Sequence, residues 1–229
     1  MKDGGVSQGR RVWDLPTRLA HWAIVFCVAG SWATHYLGVE WFPWHRRFGY
    51  AVLVLVAFRV AWGFAGTRHA RFAAFVRGPR AVLAYLRGGP PSVGHNPLGA
   101  LSVLAMLALL LLQAATGLFA NDEIMNAGPF YGWVTPERSN ALSGLHHANS
   151  EWLLVLIALH LAAIAWYGWR RGEPLLGAML TGRKPAALVP EHEAIAGSRG
   201  WLAVAIVALA SAALAVAIRL APEATIALF

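Results

Sequence analysis

The sequence predicts an all-α membrane protein, and three observations carry that prediction. Apolar residues make up 58% of the 229-residue chain and charged residues 13%, where a soluble domain carries about 25% charged. Five stretches are nearly free of charge: 19–37, 51–58, 98–120, 152–169 and 201–218. Crossing the hydrocarbon layer takes roughly 20 apolar residues. Four stretches reach that length alone, and 51–58 reaches it when extended from His45 to Ala65 through Arg59. The basic residues are also segregated. Of 19 Lys and Arg, only Arg46, Arg47, Arg138 and Arg219 fall opposite the amino terminus, and Arg59 lies within a span. The rest share the amino-terminal side, so the positive-inside bias predicts a cytoplasmic amino terminus.

Taken in order, residues 1–11 read as a polar tail. The first span covers about 17–37, with Pro16 near its first turn, where proline is tolerated. Trp41, Phe42 and Trp44 read as interface anchors at the outer surface. The second span covers 45–65. A basic inner stretch, 66–96, holds an expected surface helix from Pro79 to Leu86. The third span runs from Pro97 to Ala120, and an outer loop, 121–143, carries Asp122, Glu123 and Glu137. The fourth span covers 144–169, and a proline-bearing linker leads to the fifth at 201–218. The first span is too long for a cleaved signal peptide and lacks a small-x-small site. Cys27 is the single cysteine, which excludes an internal disulfide, a four-cysteine iron–sulfur site and covalent haem attachment through C-x-x-C-H. The net charge of +8 follows from the loop bias, and no basic-aromatic pattern suggests nucleic acid.

Ionisable residues inside a membrane are costly and usually functional, which draws attention to the histidines. His160 follows His146 by 14 positions. At about 100° and 1.5 Å per residue, that separation falls roughly 40° short of four turns and spans about 21 Å. The two share a face of the fourth span, at a separation suited to two stacked haems. His147 is about 140° out of phase with His160. The first span runs outward and places His21 near the inner side, level with His160. The second runs inward and places His45 near the outer side, level with His146. The depth-matched pairs are His21–His160 and His45–His146. A rival remains, because His35 also lies 14 positions from His21 and matches His146 in depth. His69, His95, His147 and His192 fall at ends or in loops and read as non-ligands.

Other residues fit this layout. Arg59 follows His45 by 14 positions, sharing its face at the inner depth, where a buried guanidinium needs an anion such as a haem propionate or a quinone-side carboxylate. Snorkelling to the inner headgroups is its alternative. Arg46 and Arg47 are placed to meet outer propionates or to serve as interface charges. Flat macrocycles need close helix approach, and small residues permit it; Gly49 with Gly63, and Gly99 with Gly117, each share a helix face.

With these residues in place, the chain resembles the bacterial cytochrome b561 and Ni-hydrogenase b-type cytochrome family. The matching segments are VWDLPTRLAHW (12–22), WHRRFGYAVLVLVAFRVAWGFAG (44–66), HARFAAFVRGP (69–79), GHNPLG (94–99), TGLF (116–119) and the histidines of the fourth span. The resemblance implies a four-helix transmembrane bundle holding two non-covalent haem b groups over 12–185; the linker and fifth, C-terminal transmembrane helix over 186–229 rest on the uncharged run alone and are its least characteristic part. The family pattern puts a ligand histidine before the F-G-Y of the second span, favouring His45 over His35. It implies a multi-pass protein of the bacterial inner membrane; five spans from a cytoplasmic amino terminus put the carboxyl terminus on the periplasmic side. The implied role is electron transfer between ubiquinone or menaquinone and a redox partner, such as a hydrogenase or a periplasmic c-type cytochrome.

Two other functions compete. One family member acts as a superoxide:quinone oxidoreductase, and a cationic outer funnel at Arg46 and Arg47 would attract that anion. A haem-free transporter relaying protons through histidines would carry inverted repeats and broken helices, and the sequence has no evident repeat.

Overall fold

The computed structural model describes residues 9–88 and 92–222. The first eight residues of the tail, residues 89–91 and residues 223–229 lie outside the described residues. Helices α1 (Leu15–Tyr36) and α2 (Phe42–Ala65) form a hairpin closed by a 3₁₀ turn at Val39–Trp41. Short helices α3 (Phe72–Phe75) and α4 (Pro79–Leu86) follow, then α5 (Pro97–Gly117), α6 (Pro136–Arg171), α7 (Leu175–Thr181) and α8 (Gly200–Leu220). Each long helix starts on a local signal. Asp14 caps α1, its Oδ1 accepting the Thr17 N–H at 2.7 Å with Pro16 in the first turn. Asn96 caps α5 by accepting the Gly99 N–H at 2.7 Å, and Thr135 caps α6 ahead of Pro136 and Glu137. That last signature starts α6 at Pro136, eight residues before the expected boundary, and the outer loop shortens accordingly.

Four stretches among the described residues are long and apolar enough to cross a membrane: Val39–Ala65, Pro97–Gly117, Pro136–Arg171 and Gly200–Leu220. Helix α1, the fifth expected span, falls outside this set. Its 22 residues suffice in length, since about 20 cross the hydrocarbon layer, but Arg18, His21, Thr34 and His35 dilute its apolar character.

Helix α1 packs along α2, α2 along α5, and α5 along α6, while α8 lies against α2. Helix α6 makes no comparable packing with α1 or α2 among the described residues. Its histidine-bearing side therefore faces α1 and α2 across a gap. One cluster bridges that gap at mid-height, where Leu153 packs with Cys27, Val52, Val56, Leu107 and Leu110. Leu153 lies seven residues from His146 and seven from His160, so the apolar contact falls between the two. A second cluster joins Phe58, Trp62 and Ala70 to Ala203 of α8.

Residues expected in the polar tail take part in the fold. Strand β1 (Arg10–Arg11) pairs antiparallel with β2 (Arg183–Lys184), matching Arg10 to Lys184. Arg10 also donates to the carbonyls of Ala186 and Val189, and the Ile195 N–H reaches the Arg11 carbonyl at 3.0 Å. Val12, Trp13, Ala178 and Val189 close a buried cluster beneath this ribbon. The linker before α8 is thus stitched to the start of the chain.

Candidate functional site

The polar side chains inside the bundle gather at its two ends. At the first end, His45 of α2 and His146 of α6 face each other with ring centroids 6.2 Å apart and planes 72° apart. An imidazole nitrogen sits about 2 Å from its metal, so two imidazoles on opposite sides of one iron hold their centroids roughly 6 Å apart. The His35 ring stands 6.0 Å from His45 and 6.1 Å from His147, and His147 stands 6.0 Å from His146. Ring spacing alone therefore does not separate His35 from His45; the two differ in burial and hydrogen bonding. His35 and His147 are exposed, while His45 and His146 are half-buried.

The His45 Nδ1–H donates to the Ser31 carbonyl at 2.9 Å, and the His146 Nδ1–H donates to the Gln113 carbonyl at 2.9 Å. A carbonyl only accepts, so both rings carry their proton on Nδ1 and present Nε2. Ligating histidines are oriented in this manner, by a carbonyl on the ring nitrogen that does not bind metal. The Gln113 amide donates to His146 Nε2 at 3.0 Å, a bond that iron coordination would replace. Asn149 in turn donates to Gln113 Oε1 at 2.7 Å and to the Leu109 carbonyl. Gln113, Asn149 and Ser31 carry no ionisable group, so the cost of burying charge does not single them out in the sequence. Gln113 and Asn149 are polar residues inside long apolar stretches, and that was the available signal.

All four histidines line one cavity of about 390 Å³, within the range of small-molecule and cofactor pockets. Gly49 also lines it, with nothing within 4 Å of where a Cβ would stand. At Gly117 a Cβ would come within 3.0 Å of His146 Cε1, so the bare backbone is what admits the ring. Arg46 reaches the cavity and its buried Nε has no hydrogen-bond partner among the described residues. An anionic group such as a haem propionate fits that donor. Arg47 stacks on Trp44 at 4.7 Å instead and does not line the cavity, which leaves Arg46 as the one arginine of the expected pair at this site.

At the second end, His21 of α1 and His160 of α6 lie within Coulombic reach of each other, both half-buried. The His21 ring packs edge-on against Trp22 at 5.2 Å. Arg59 is 8% exposed, enclosed by protein rather than snorkelling to solvent. Its guanidinium donates to the Ala70 carbonyl at 3.2 Å, covers the Phe72 ring at 5.5 Å and lies within Coulombic reach of Asp14. Asp14 is fully buried; beyond its cap it accepts from Trp62 Nε1 at 3.3 Å and from the Thr67 hydroxyl. Gly63 serves the Phe72 ring, which would lie within 2.1 Å of a Cβ there, and Gly99 sits beside its own capping Asn96. Only Gly49 and Gly117 of the four glycines line a histidine site.

A family described as prokaryotic cytochrome b561 matches residues 12–182, a stretch that includes every histidine placed above. The chain belongs to that family. Membership makes it a membrane cytochrome that binds b-type haem and transfers electrons across the bilayer. No curated protein and no solved structure matches it. In this cytochrome b561 the residues lining the gap between α6 and the α1–α2 hairpin are those that would hold a b-type haem.

Proposed function

We propose that this cytochrome b561 moves electrons across the bacterial inner membrane through two bis-histidine b-type haems, held by His45 with His146 and by His21 with His160. The observation that carries this reading is the pair of half-buried histidines at each end of one gap, with Leu153 between the ends. A haem held by two histidines would supply one-electron redox chemistry. Ser31 and Gln113 orient the imidazoles at the first end, and Arg46 offers a donor to a propionate. The loop bias of Lys and Arg supports a cytoplasmic amino terminus, which makes the His45 end periplasmic and the His21 end cytoplasmic. Helix α1 then forms the first of five spans.

In this reading a soluble redox protein meets the His45 end, beside the loop carrying Asp122 and Glu123. A ubiquinone or menaquinone binds near the His21 end, beside Arg59 and His95. The test is haem stoichiometry in the purified protein. Two haems per chain, with a split low-spin band on reduction, supports the reading; one haem, or a high-spin spectrum, sinks it.

A further inference from the structure

Beside the His21 end lies a polar pocket of about 190 Å³ that no haem ligand occupies, lined by His69, Phe75, Arg77, Ser92, His95 and Glu193 among others. It is built from three separate segments: the turn after α2, the loop leading into α5, and the linker before α8. His95 packs between the rings of Trp13 at 4.7 Å and Phe75 at 4.6 Å. Its buried Nδ1 has no partner among the described residues. His69 is 6% exposed; its Nε2 lies 2.8 Å from the Glu193 carbonyl and 3.7 Å from Glu193 Oε2. Gly94 closes against His69, where a Cβ would stand 3.3 Å from Nδ1. Glu193 reaches solvent and is held by Arg68 at 2.9 Å. A titratable series thus runs from the surface inward, Glu193 to His69 to His95, and ends within Coulombic reach of Arg59 and His160. An unpaired imidazole nitrogen in a polar pocket of this size calls for water.

We propose that this pocket is the proton entry of the cytochrome, with Glu193 and His69 feeding His95, and His95 protonating a quinone bound at the cytoplasmic end. The inference rests on the quinone reading above. Reducing a quinone to a quinol adds two electrons and two protons, one O–H bond forming at each carbonyl oxygen. The two electrons would come one from each of the two proposed b-type haems, and the two protons come from the cytoplasm through the pocket. Burial, with the positive charges of Arg59 and Lys184 and the neighbouring His69 and His160, lowers His95 to about 3. It stays neutral at physiological pH, able to accept at one nitrogen and donate from the other. Lys184, buried and donating to the Val93 carbonyl at 2.8 Å, keeps the loop that carries His95 in place.

The test compares two oxidants on the haem-loaded protein in nanodiscs, reduced stoichiometrically and mixed by stopped flow with decylubiquinone or with ferricyanide, which takes electrons alone. In His95→Gln, reoxidation by decylubiquinone slows about a hundredfold, the scale of a lost general acid. Glu193→Gln slows it less, and Glu193→Asp restores it. Haem content, midpoint potentials and ferricyanide rates match the parent in all three. Should His95→Gln lose haem, Glu193→Gln with its Asp rescue decides. Full decylubiquinone rates in the Gln variants overturn the proton entry, as does equal slowing with ferricyanide. A parent protein that ferricyanide oxidises and decylubiquinone does not overturns the quinone reading itself.

Discussion

The two ends of the bundle hold their histidines by different means. At the His45 end the rings are fixed locally: the Ser31 and Gln113 carbonyls accept hydrogen bonds from the Nδ1–H groups, and Asn149 fixes Gln113. At the His21 end no such bond orients His21 or His160 among the described residues, and the order comes from distant segments. Asp14 ties the start of α1 to Trp62 and Thr67 at the end of α2. The β1–β2 ribbon and the Arg68–Glu193 pair bind the linker around it. A site built from adjacent helices needs only helix register. One built at the chain's beginning and end needs the whole fold closed first.

That contrast can be broken experimentally, most forcefully by removing ligands. His146→Ala should lose the haem of the His45 end and leave the other, and His21→Ala should do the reverse, read as haem per protein and as which spectral component vanishes. If either variant keeps its full haem complement, the pairing fails. His45→Ala against His35→Ala sharpens the same point, since only the former should lose haem; the opposite outcome would hand the site to His35.

Asp14→Ala removes a helix cap and strands the buried Trp62 and Thr67 donors. The expected cost is about 3 kcal/mol of stability, read by denaturant or thermal unfolding. The His21 end should lose haem on heating before the His45 end does. Simultaneous loss would erase the distinction between a locally and a globally organised site. Gly117→Val acts only on the His45 end, pushing the His146 ring, and about a tenfold drop in haem retention there is expected by analogy with perturbed ligand orientation. An unchanged potential and haem content would show that the ring has room to give.

The smallest effect concerns the loop beside the His45 end. Partial burial works against ionisation of Asp122, but N–H groups of Asn126, Ile124 and Met125 prevail and hold its carboxyl down to about 2. That lies below the ordinary value of about 3.9, so the loop's stabilisation is present above pH ~4 and fades as pH falls toward 2. Hydrogen exchange across residues 121–127 should rise over that window in the parent and already be high in Asp122→Asn.

Much of this architecture was legible in advance, for reasons specific to each element. The spans of α2, α5, α6 and α8 could be read because lipid demands long uncharged runs. The 14-residue interval between His146 and His160 could be read because helix geometry is periodic. The early start of α6 was also written in Thr135, Pro136 and Glu137, although the turn-rich loop masked it. Arg59 was expected to seek a cofactor's charge, yet the neighbouring carboxylate is Asp14, 45 positions earlier. No local pattern connects those two residues.

By itself, then, the sequence determined the membrane class, the family and which histidines share a helix face, since each depends on local composition and on one helix's period. Tertiary structure decided what surrounds those histidines. The carbonyls that orient them come from neighbouring helices, and the stitching of the linker to β1 joins residues far apart in the chain. Such contacts follow from how helices pack, which periodicity along one helix does not specify.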